Sequence, residues 1–226
     1  MKSTPQARQR FIELPLFAFL ALAFVVSISL LPYPGDFLLK VAPIVCLAVA
    51  VAMAGPGNGR RLVVAALVFS GIGDVSLECG QFTLGLGAFL VAHLCYLGAL
   101  LPLRGRSGPR LAGATVVVAA VVGMLVWFWP RLLDQGLVIP VTVYMAVLGA
   151  MVCAALLARL PTPWTALGAV CFAVSDGMIG TGQFVLQSHA LEVPIWWVYA
   201  ASQVLITAGF FFGRVGSGAG GGPAAR

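Results

Sequence analysis

Apolar runs of roughly 20 residues, each bounded by clusters of Arg, Pro and Gly, constrain the fold of this chain more than any other feature of its sequence. A helix needs about 20 predominantly apolar residues to cross the hydrocarbon core of a bilayer. Eight such runs occur, at residues 14–31, 37–54, 62–79, 83–103, 111–129, 137–157, 164–186 and 194–213. The pattern predicts an all-α polytopic membrane bundle of eight transmembrane helices.

The composition supports this class of fold. Hydrophobic residues make up 61% of the chain and charged residues only 9%, whereas a typical soluble domain has about 25% charged residues. So few charges cannot cover the surface of a water-soluble globule of 226 residues, because a soluble surface needs polar groups. Lipid must therefore surround most of the protein.

The basic residues indicate an orientation. The formal net charge is +6, and no nucleic-acid-binding motif accompanies it. Cytoplasmic loops of membrane proteins hold the excess of Lys and Arg. One predicted side carries Lys2, Arg8, Arg10, Arg60, Arg61, Arg104, Arg106, Arg110, Arg159, Arg214 and Arg226, and the other carries Arg131. We therefore expect a cell-membrane protein of one domain, residues 1–213, with both termini in the cytoplasm and a disordered Gly-rich tail, residues 214–226.

Two segments of the chain resemble each other at a spacing of 102 residues. Residues 68–82, which contain Asp74 and the sequence Gly-Gln-Phe, align with residues 170–184, which contain Asp176 and a second Gly-Gln-Phe. Four spans separate the two segments, so both helices cross the membrane in the same direction. This arrangement predicts a parallel four-plus-four internal repeat.

Ionisable side chains lie within the predicted spans. Asp74, Asp176 and His93 fall between the midplane and the outer third of the bilayer when depth is counted at 1.5 Å per residue. A charged side chain at such a depth costs about 2.5–3.5 kcal/mol and usually faces the interior of the bundle. Glu78 follows Asp74 by four residues, so both carboxylates lie on one helix face.

A single polar cavity around Asp74, Asp176 and His93 would account for these residues. We expect Lys40, Glu78 and Tyr33 to line its outer mouth, and Tyr96, Ser175, Tyr199 and Gln203 to complete its walls. Other interpretations stay open. A buried Asp can simply be hydrogen-bonded to a neighbouring helix, and Glu78 and Lys40 can extend to the interface.

Metal and serine-hydrolase chemistry are disfavoured. Catalytic zinc takes three protein ligands that commonly include two or three His, and the spans contain one His, although Asp74, Asp176 and His93 could together bind a metal. No G-x-S-x-G or H-E-x-x-H motif is present. We therefore predict no cofactor.

The same residues carry a family resemblance. Gly73-Asp74, the stretch of residues 85–96 with Ala-His93-Leu-Cys-Tyr96, Ser175-Asp176 and Tyr199-Ala-Ala-Ser-Gln203 resemble the YhhN-like family of membrane lysoplasmalogenases. The resemblance covers most of the chain and includes a Lys-Pro feature, here Lys40 and Pro43. It implies hydrolysis of the vinyl ether bond of a lysoplasmalogen or related ether lysolipid to a fatty aldehyde and a glycerophospho-base. It also implies that Asp74, His93 and Asp176 belong to the active site, and that the partner is a lysophospholipid within the membrane.

Vinyl ether hydrolysis needs an acid and a stabilising anion, because protonation of the β-carbon gives an oxocarbenium ion. An apolar environment favours the proton-carrying form of a carboxyl group, so Asp74 and Asp176 are candidates for the pair, with His93 positioning water. Which of the two is the acid stays open. A proton-coupled or lipid transporter would use the same buried cluster, and a ligand-sensing receptor is a further alternative. Neither a protein partner nor a nucleic acid is implied.

Overall fold

The structure, a computed structural model, describes residues 36–53, 59–105, 108–188 and 190–212, except for the side chains of residues 36–40 and 212. Its helices are α1 (Asp36–Met53), α2 (Arg60–Glu78), α3 (Phe82–Leu100), α4 (Gly108–Asp134), α5 (Val138–Leu157), α6 (Trp164–Thr181) and α7 (Glu192–Phe212). A 3₁₀ turn, Leu101–Leu103, extends α3, and a π-helical turn, Gly182–Leu186, extends α6. These ranges contain no strand, so the predicted all-α class is confirmed for them.

Five of the helices are long and apolar enough to cross a membrane: α3 with its 3₁₀ turn, α4, α5, α6 with its π-helical turn, and α7. Helix α1 offers a shorter apolar stretch, Val41–Met53. Helix α2 is less apolar because it carries Arg60, Arg61, Asp74 and Glu78 within 19 residues. The first predicted span, residues 14–31, and the tail, residues 214–226, lie outside the described residues.

Short turns make successive helices antiparallel neighbours. Gly80 between α2 and α3 (φ 72°) and Gly136 between α4 and α5 (φ 68°) adopt the left-handed conformation that glycine tolerates. A connection of so few residues makes the next helix run antiparallel beside the previous one. The α2–α3 and α4–α5 pairs are thereby fixed by local sequence.

Helices α6 and α7 approach each other most closely where small residues face the partner backbone. A Cβ on Gly168 would lie 2.7 Å from the backbone nitrogen of Ile206, and one on Gly209 would lie 2.5 Å from that of Thr165. Such close approach of backbones is typical of helix packing in membranes, where small residues form the contact. This contact sets the position of α7 relative to α6.

One end of the bundle is held together by backbone hydrogen bonds between loops. The amide of Gly105 donates to the carbonyl of Leu157, and the amide of Arg159 donates to that of Leu103, both at 2.7 Å. The guanidinium of Arg110 donates to the carbonyl of Ala158 at 2.7 Å. The C-terminal ends of α3 and α5 therefore meet beside the start of α4.

Helix α3 lies at the centre of the bundle, packed between α2 and α5. Helix α4 is peripheral, because it packs along α5 and makes few contacts with α6. Only Phe128 and Leu132 of its 27 residues are buried. The gap that this leaves between α4 and α6 lies next to the polar residues of the interior.

Candidate active site

Four helices bring polar side chains into the interior of the bundle. Asp74 on α2 is 4% exposed, His93 on α3 is fully buried, and Tyr199 on α7 is also buried. The side chain of Asp176 on α6 is 5% exposed. In a membrane helix such groups require partners from neighbouring helices. Asp74, Asp176 and Tyr199 each make a hydrogen bond to another helix, whereas His93 lies near Asp176 without one.

Asp176 has two polar neighbours on its Oδ2 atom. The hydroxyl of Tyr144, on α5, donates a hydrogen bond to it. His93 Nε2 lies 3.7 Å from the same oxygen and makes no hydrogen bond of ordinary geometry with a described residue. That separation is just beyond hydrogen-bond reach, and catalytic contacts often tighten only when substrate binds.

Asp74 is held from the opposite side of the cluster. The hydroxyl of Tyr199 donates a hydrogen bond of 2.8 Å to Asp74 Oδ2. The two carboxyl groups, Asp74 and Asp176, are close enough to interact electrostatically. The two acids predicted from sequence therefore belong to one buried cluster, and each has its own tyrosine donor.

A second polar pair extends this cluster. The hydroxyl of Tyr96 on α3 donates to Gln203 Oε1 on α7 at 2.6 Å. Gln203 lies one helical turn beyond Tyr199 on the same helix. The Tyr96–Gln203 pair therefore lies beside the Tyr199–Asp74 pair.

Aromatic rings fix the histidine in place. The ring of His93 meets Phe172 edge to face at 4.7 Å and Tyr144 at 5.3 Å between ring centroids. Phe172 and Phe89 also pack edge to face on Tyr199, at 5.5 and 6.0 Å. Edge-to-face pairs at these distances are favourable, so the orientation of the imidazole is set by close packing.

A cavity of about 520 Å³ adjoins this cluster between α3, α4, α5 and α6. Its polar lining residues are Tyr144, Asp176 and Thr181, and the rest of the lining is apolar. Within the described part of the chain, Asp176 is the one carboxyl on the wall. Asp74 and His93 lie behind the wall and do not line the cavity. A pocket of this volume is in the range of small-molecule sites.

The remaining predicted residues have different positions. Ser175 is buried, and its hydroxyl donates to the carbonyl of Ile195 at 3.1 Å, so it joins α6 to α7 and does not line the cavity. Glu78 lies exposed at the end of α2, because four residues of helix carry it from the interior beside Asp74 to the turn at Gly80. The side chain of Lys40, and all of Tyr33, lie outside the described part of the chain.

Sequence reasoning missed Tyr144. It is 7% exposed, lines the cavity and donates to Asp176. The available signal was a tyrosine well inside an apolar span, since a buried phenol needs a hydrogen-bond partner. Nothing in the sequence pairs it with Asp176, which lies 32 residues further along the chain.

The described residues contain no group of three His, Cys, Asp or Glu side chains placed to hold a metal ion. His93 and Asp176 approach each other, but Nε2 is also within the aromatic enclosure of Phe172 and Tyr144. The polar groups beside His93 are therefore the phenol of Tyr144 and the carboxyl group of Asp176.

Comparison with known proteins finds relatives that match about three quarters of this chain. A lysoplasmalogenase of Mycobacterium bovis is 56% identical over 181 residues, which are 76% of this chain and 69% of that protein. The lysoplasmalogenases TMEM86B of mouse (Mus musculus) and human are 35% and 31% identical, over 75% of this chain and 72% and 73% of their own lengths. No solved structure matches. The family model of the YhhN family matches residues 35–210, which confirms the resemblance read from the sequence: the chain belongs to the YhhN family.

Proposed function

We propose that this chain is a membrane lysoplasmalogenase, which hydrolyses the vinyl ether bond of a lysoplasmalogen to a fatty aldehyde and a glycerophospho-base. One observation carries the proposal: among the residues that the structure describes, Asp176 is the single carboxyl on the wall of a largely apolar cavity, and Tyr144 and His93 face its Oδ2 atom. The names of the relatives in Mycobacterium bovis, mouse and human support the same reaction.

Asp176 is the group placed to reach the substrate. In the first step its carboxylic acid gives a proton to the β-carbon of the vinyl ether. The π electrons of the carbon–carbon double bond form the new C–H bond, and the ether oxygen shares its lone pair with C1 to give an oxocarbenium ion. Proton transfer by a positioned side chain contributes about 10²–10⁴-fold to a rate.

Asp74 and His93 act after the oxocarbenium ion has formed. Asp74, held by Tyr199, supplies negative charge near the cation in a low-dielectric interior, where such charge is most effective. Water then adds to C1, and its proton returns to the Asp176 carboxylate, which His93 faces from behind the cavity wall. The resulting hemiacetal transfers its hydroxyl proton to the glycerol oxygen as the C1–O bond breaks, which releases aldehyde and alcohol.

The remaining predicted site residues have supporting roles in this scheme. Tyr96 and Gln203 position Tyr199, and Ser175 keeps α6 in register with α7. Lys40 and Glu78 remain candidates for contact with the lipid headgroup at the mouth of the site. No cofactor or protein partner enters the reaction.

The membrane topology belongs to the same proposal: eight spans with both termini in the cytoplasm of the cell-membrane protein. Its support is the distribution of charge. Arg104, Arg110 and Arg159 meet at one end of the bundle, whereas Arg131 lies at the other end. Cytoplasmic loops hold such an excess of basic residues.

The internal repeat also remains a proposal, supported by contacts between equivalent residues. Phe82 and Phe184 hold equivalent positions in the two segments, and their rings meet edge to face at 5.7 Å. In each half, the helix that follows the Asp-bearing helix also contacts the aspartate of the other half. Helix α3 brings His93 near Asp176, and α7 brings Tyr199 to Asp74. Both observations fit two halves related by an axis that passes between the phenylalanines.

Purified protein in detergent, incubated with a 1-alkenyl lysophospholipid, tests the function. We expect equimolar fatty aldehyde and glycerophospho-base, one deuterium at C2 of the aldehyde when the reaction runs in D₂O, and no cleavage of the matched 1-alkyl lipid. Release of fatty acid from a 1-acyl lipid at the same rate would contradict the proposal. Lipid flux into proteoliposomes without product would favour transport.

A further inference from the structure

The cavity beside Asp176 is elongated, and its two ends differ chemically. Towards the start of α4 and α6 its walls are aliphatic and include Val117, Val152 and Val170. Towards the ends of α4 and α6 they include Phe128, Phe184 and Thr181. Asp176 lies between the two ends, six residues or about 9 Å of helix beyond Val170.

The cavity reaches the lipid-facing surface of the bundle. Among its lining residues, Val116 on α4 is 69% exposed and Val174 on α6 is 50% exposed. Both side chains border the gap between the two helices, which make few contacts with each other. In a membrane this exposed border faces acyl chains, so a lipid can reach the cavity sideways.

Two glycines of α6 face side chains of α4 beside the cavity. A Cβ on Gly177, next to Asp176, would lie 3.4 Å from the terminal methyl of Met124 on α4, and one on Gly180 would lie 2.7 Å from the ring of Phe128. A larger side chain at either position would occupy the space beside the carboxyl group. The access path to Asp176 therefore depends on two glycines.

We propose that the cleft between α4 and α6 is the binding site for the hydrocarbon chain of the substrate, and that this chain runs from Asp176 towards Val117 and Val170. This inference rests on the proposed function. The vinyl ether stands where the chain joins the glycerol, so the carboxyl group must lie at the head of the chain site. The aliphatic end suits the chain, so the glycerol and headgroup lie towards the ends of α4 and α6.

Lipid length also fits this direction. From Asp176 back to the start of α6 at Trp164 there are 12 residues, or about 18 Å of helix, so a long chain can extend along the valines within the depth of the bilayer. The opposite direction offers five residues before α6 passes into its π-helical turn. The lipid therefore enters from the leaflet at the end where α4 and α6 finish.

A matched pair of variants on α4 tests the chain site. Val117→Phe places a ring in the aliphatic end, whereas Val118→Phe places the same ring on a neighbouring residue that is 54% exposed and does not line the cavity. We expect Val117→Phe to lower kcat/KM at least tenfold for an 18-carbon alkenyl chain while an 8-carbon chain keeps wild-type values. Val118→Phe should change neither. Equal loss for both chain lengths in Val117→Phe, or equal effects of the two variants, would overturn the proposal.

Cross-linking gives a second test that needs no turnover. The probe is a 1-alkyl lysophospholipid with a diazirine midway along its chain, which the proposed chemistry cannot cleave. After photolysis of the wild-type protein, we expect labelled peptides that contain residues 116–120 or 170–174. Labelling confined to the apolar groove of α1 and α2, around Ile44 and Val68, would overturn the chain site. An active enzyme labelled there would leave the proposed function intact, whereas a correctly labelled but inactive protein would count against the function alone.

Discussion

The hydroxyl of Tyr199 on α7 donates a hydrogen bond of 2.8 Å to Oδ2 of Asp74 on α2, across 125 residues of sequence. Both residues are buried, so the bond fixes the carboxyl group of one helix from another inside the bundle. A hydrogen bond to a charged group contributes about 1.5–3 kcal/mol. The orientation of Asp74 therefore depends on α7 as much as on its own helix.

Tyr199→Phe removes this donor and keeps the ring that packs on Phe89 and Phe172. We expect kcat to fall about 10–100-fold, the kinetic equivalent of the lost hydrogen bond, with little change in thermal stability. Initial rates of aldehyde release over a range of substrate concentrations give kcat. Tyr96→Phe, which acts only through Gln203, is the control and should have a smaller effect. A wild-type kcat in Tyr199→Phe would contradict a role for this bond.

Tyr144→Phe removes the hydroxyl that donates to Asp176. Because Tyr144 also lines the cavity, we expect a lower kcat together with altered deuterium incorporation at C2 of the aldehyde in mixed H₂O and D₂O. The isotope ratio reports on the proton donor, which a purely structural role for Tyr144 would leave unchanged. An unaltered kcat and isotope ratio would show that the bond has no part in proton transfer.

His93→Leu removes both ring nitrogens from a fully buried site. His93 faces Oδ2 of Asp176 from behind the cavity wall, so it acts through that carboxyl group. Misplacing a catalytic group costs about 100-fold, so we expect kcat to fall by about that factor while KM changes little. Steady-state kinetics separate the two constants. If KM rose and kcat stayed constant, His93 would instead be a substrate-binding residue.

Gly168→Ala tests the close contact between α6 and α7. The added Cβ would lie 2.7 Å from the backbone nitrogen of Ile206 and 2.8 Å from the carbonyl oxygen of Ser202. Overpacking of this kind costs about 1–3 kcal/mol, so Tm in detergent should fall. Gly123→Ala on α4, where a Cβ meets nothing within 4 Å, is the matched control and should leave Tm unchanged or slightly higher. Equal Tm values for the two variants would contradict the contact.

Seven of the predicted spans fall on helices of the described residues, because lipid demands long apolar segments, and their boundaries differ from the predicted ones by up to five residues. For example, the span predicted at residues 62–79 corresponds to α2, which runs from Arg60 to Glu78. Asp74, Asp176 and His93 were also identifiable, since each is an ionisable group where apolar residues are the rule.

Pairing between helices was not predictable. Tyr144 and Asp176 meet because α5 and α6 pack side by side, and Tyr199 reaches Asp74 because α7 and α2 approach across the bundle. Periodicity within one span carries no information about either contact. Glu78 illustrates the same limit: its spacing from Asp74 puts both on one face, but only the helix end at Gly80 explains why Glu78 is exposed.

The turnover number of Asp176→Asn on a 1-alkenyl lysophospholipid tests whether Asp176 is the acid, since the amide keeps the shape of the side chain and lacks the acidic proton. Asp134→Asn is the matched control, because Asp134 lies at the end of α4 with a side chain that is 68% exposed. We predict a loss of about 1,000-fold or more in Asp176→Asn, a similar loss in Asp74→Asn, and wild-type turnover in Asp134→Asn, all with unchanged Tm and membrane insertion. Full turnover in Asp176→Asn would contradict the account.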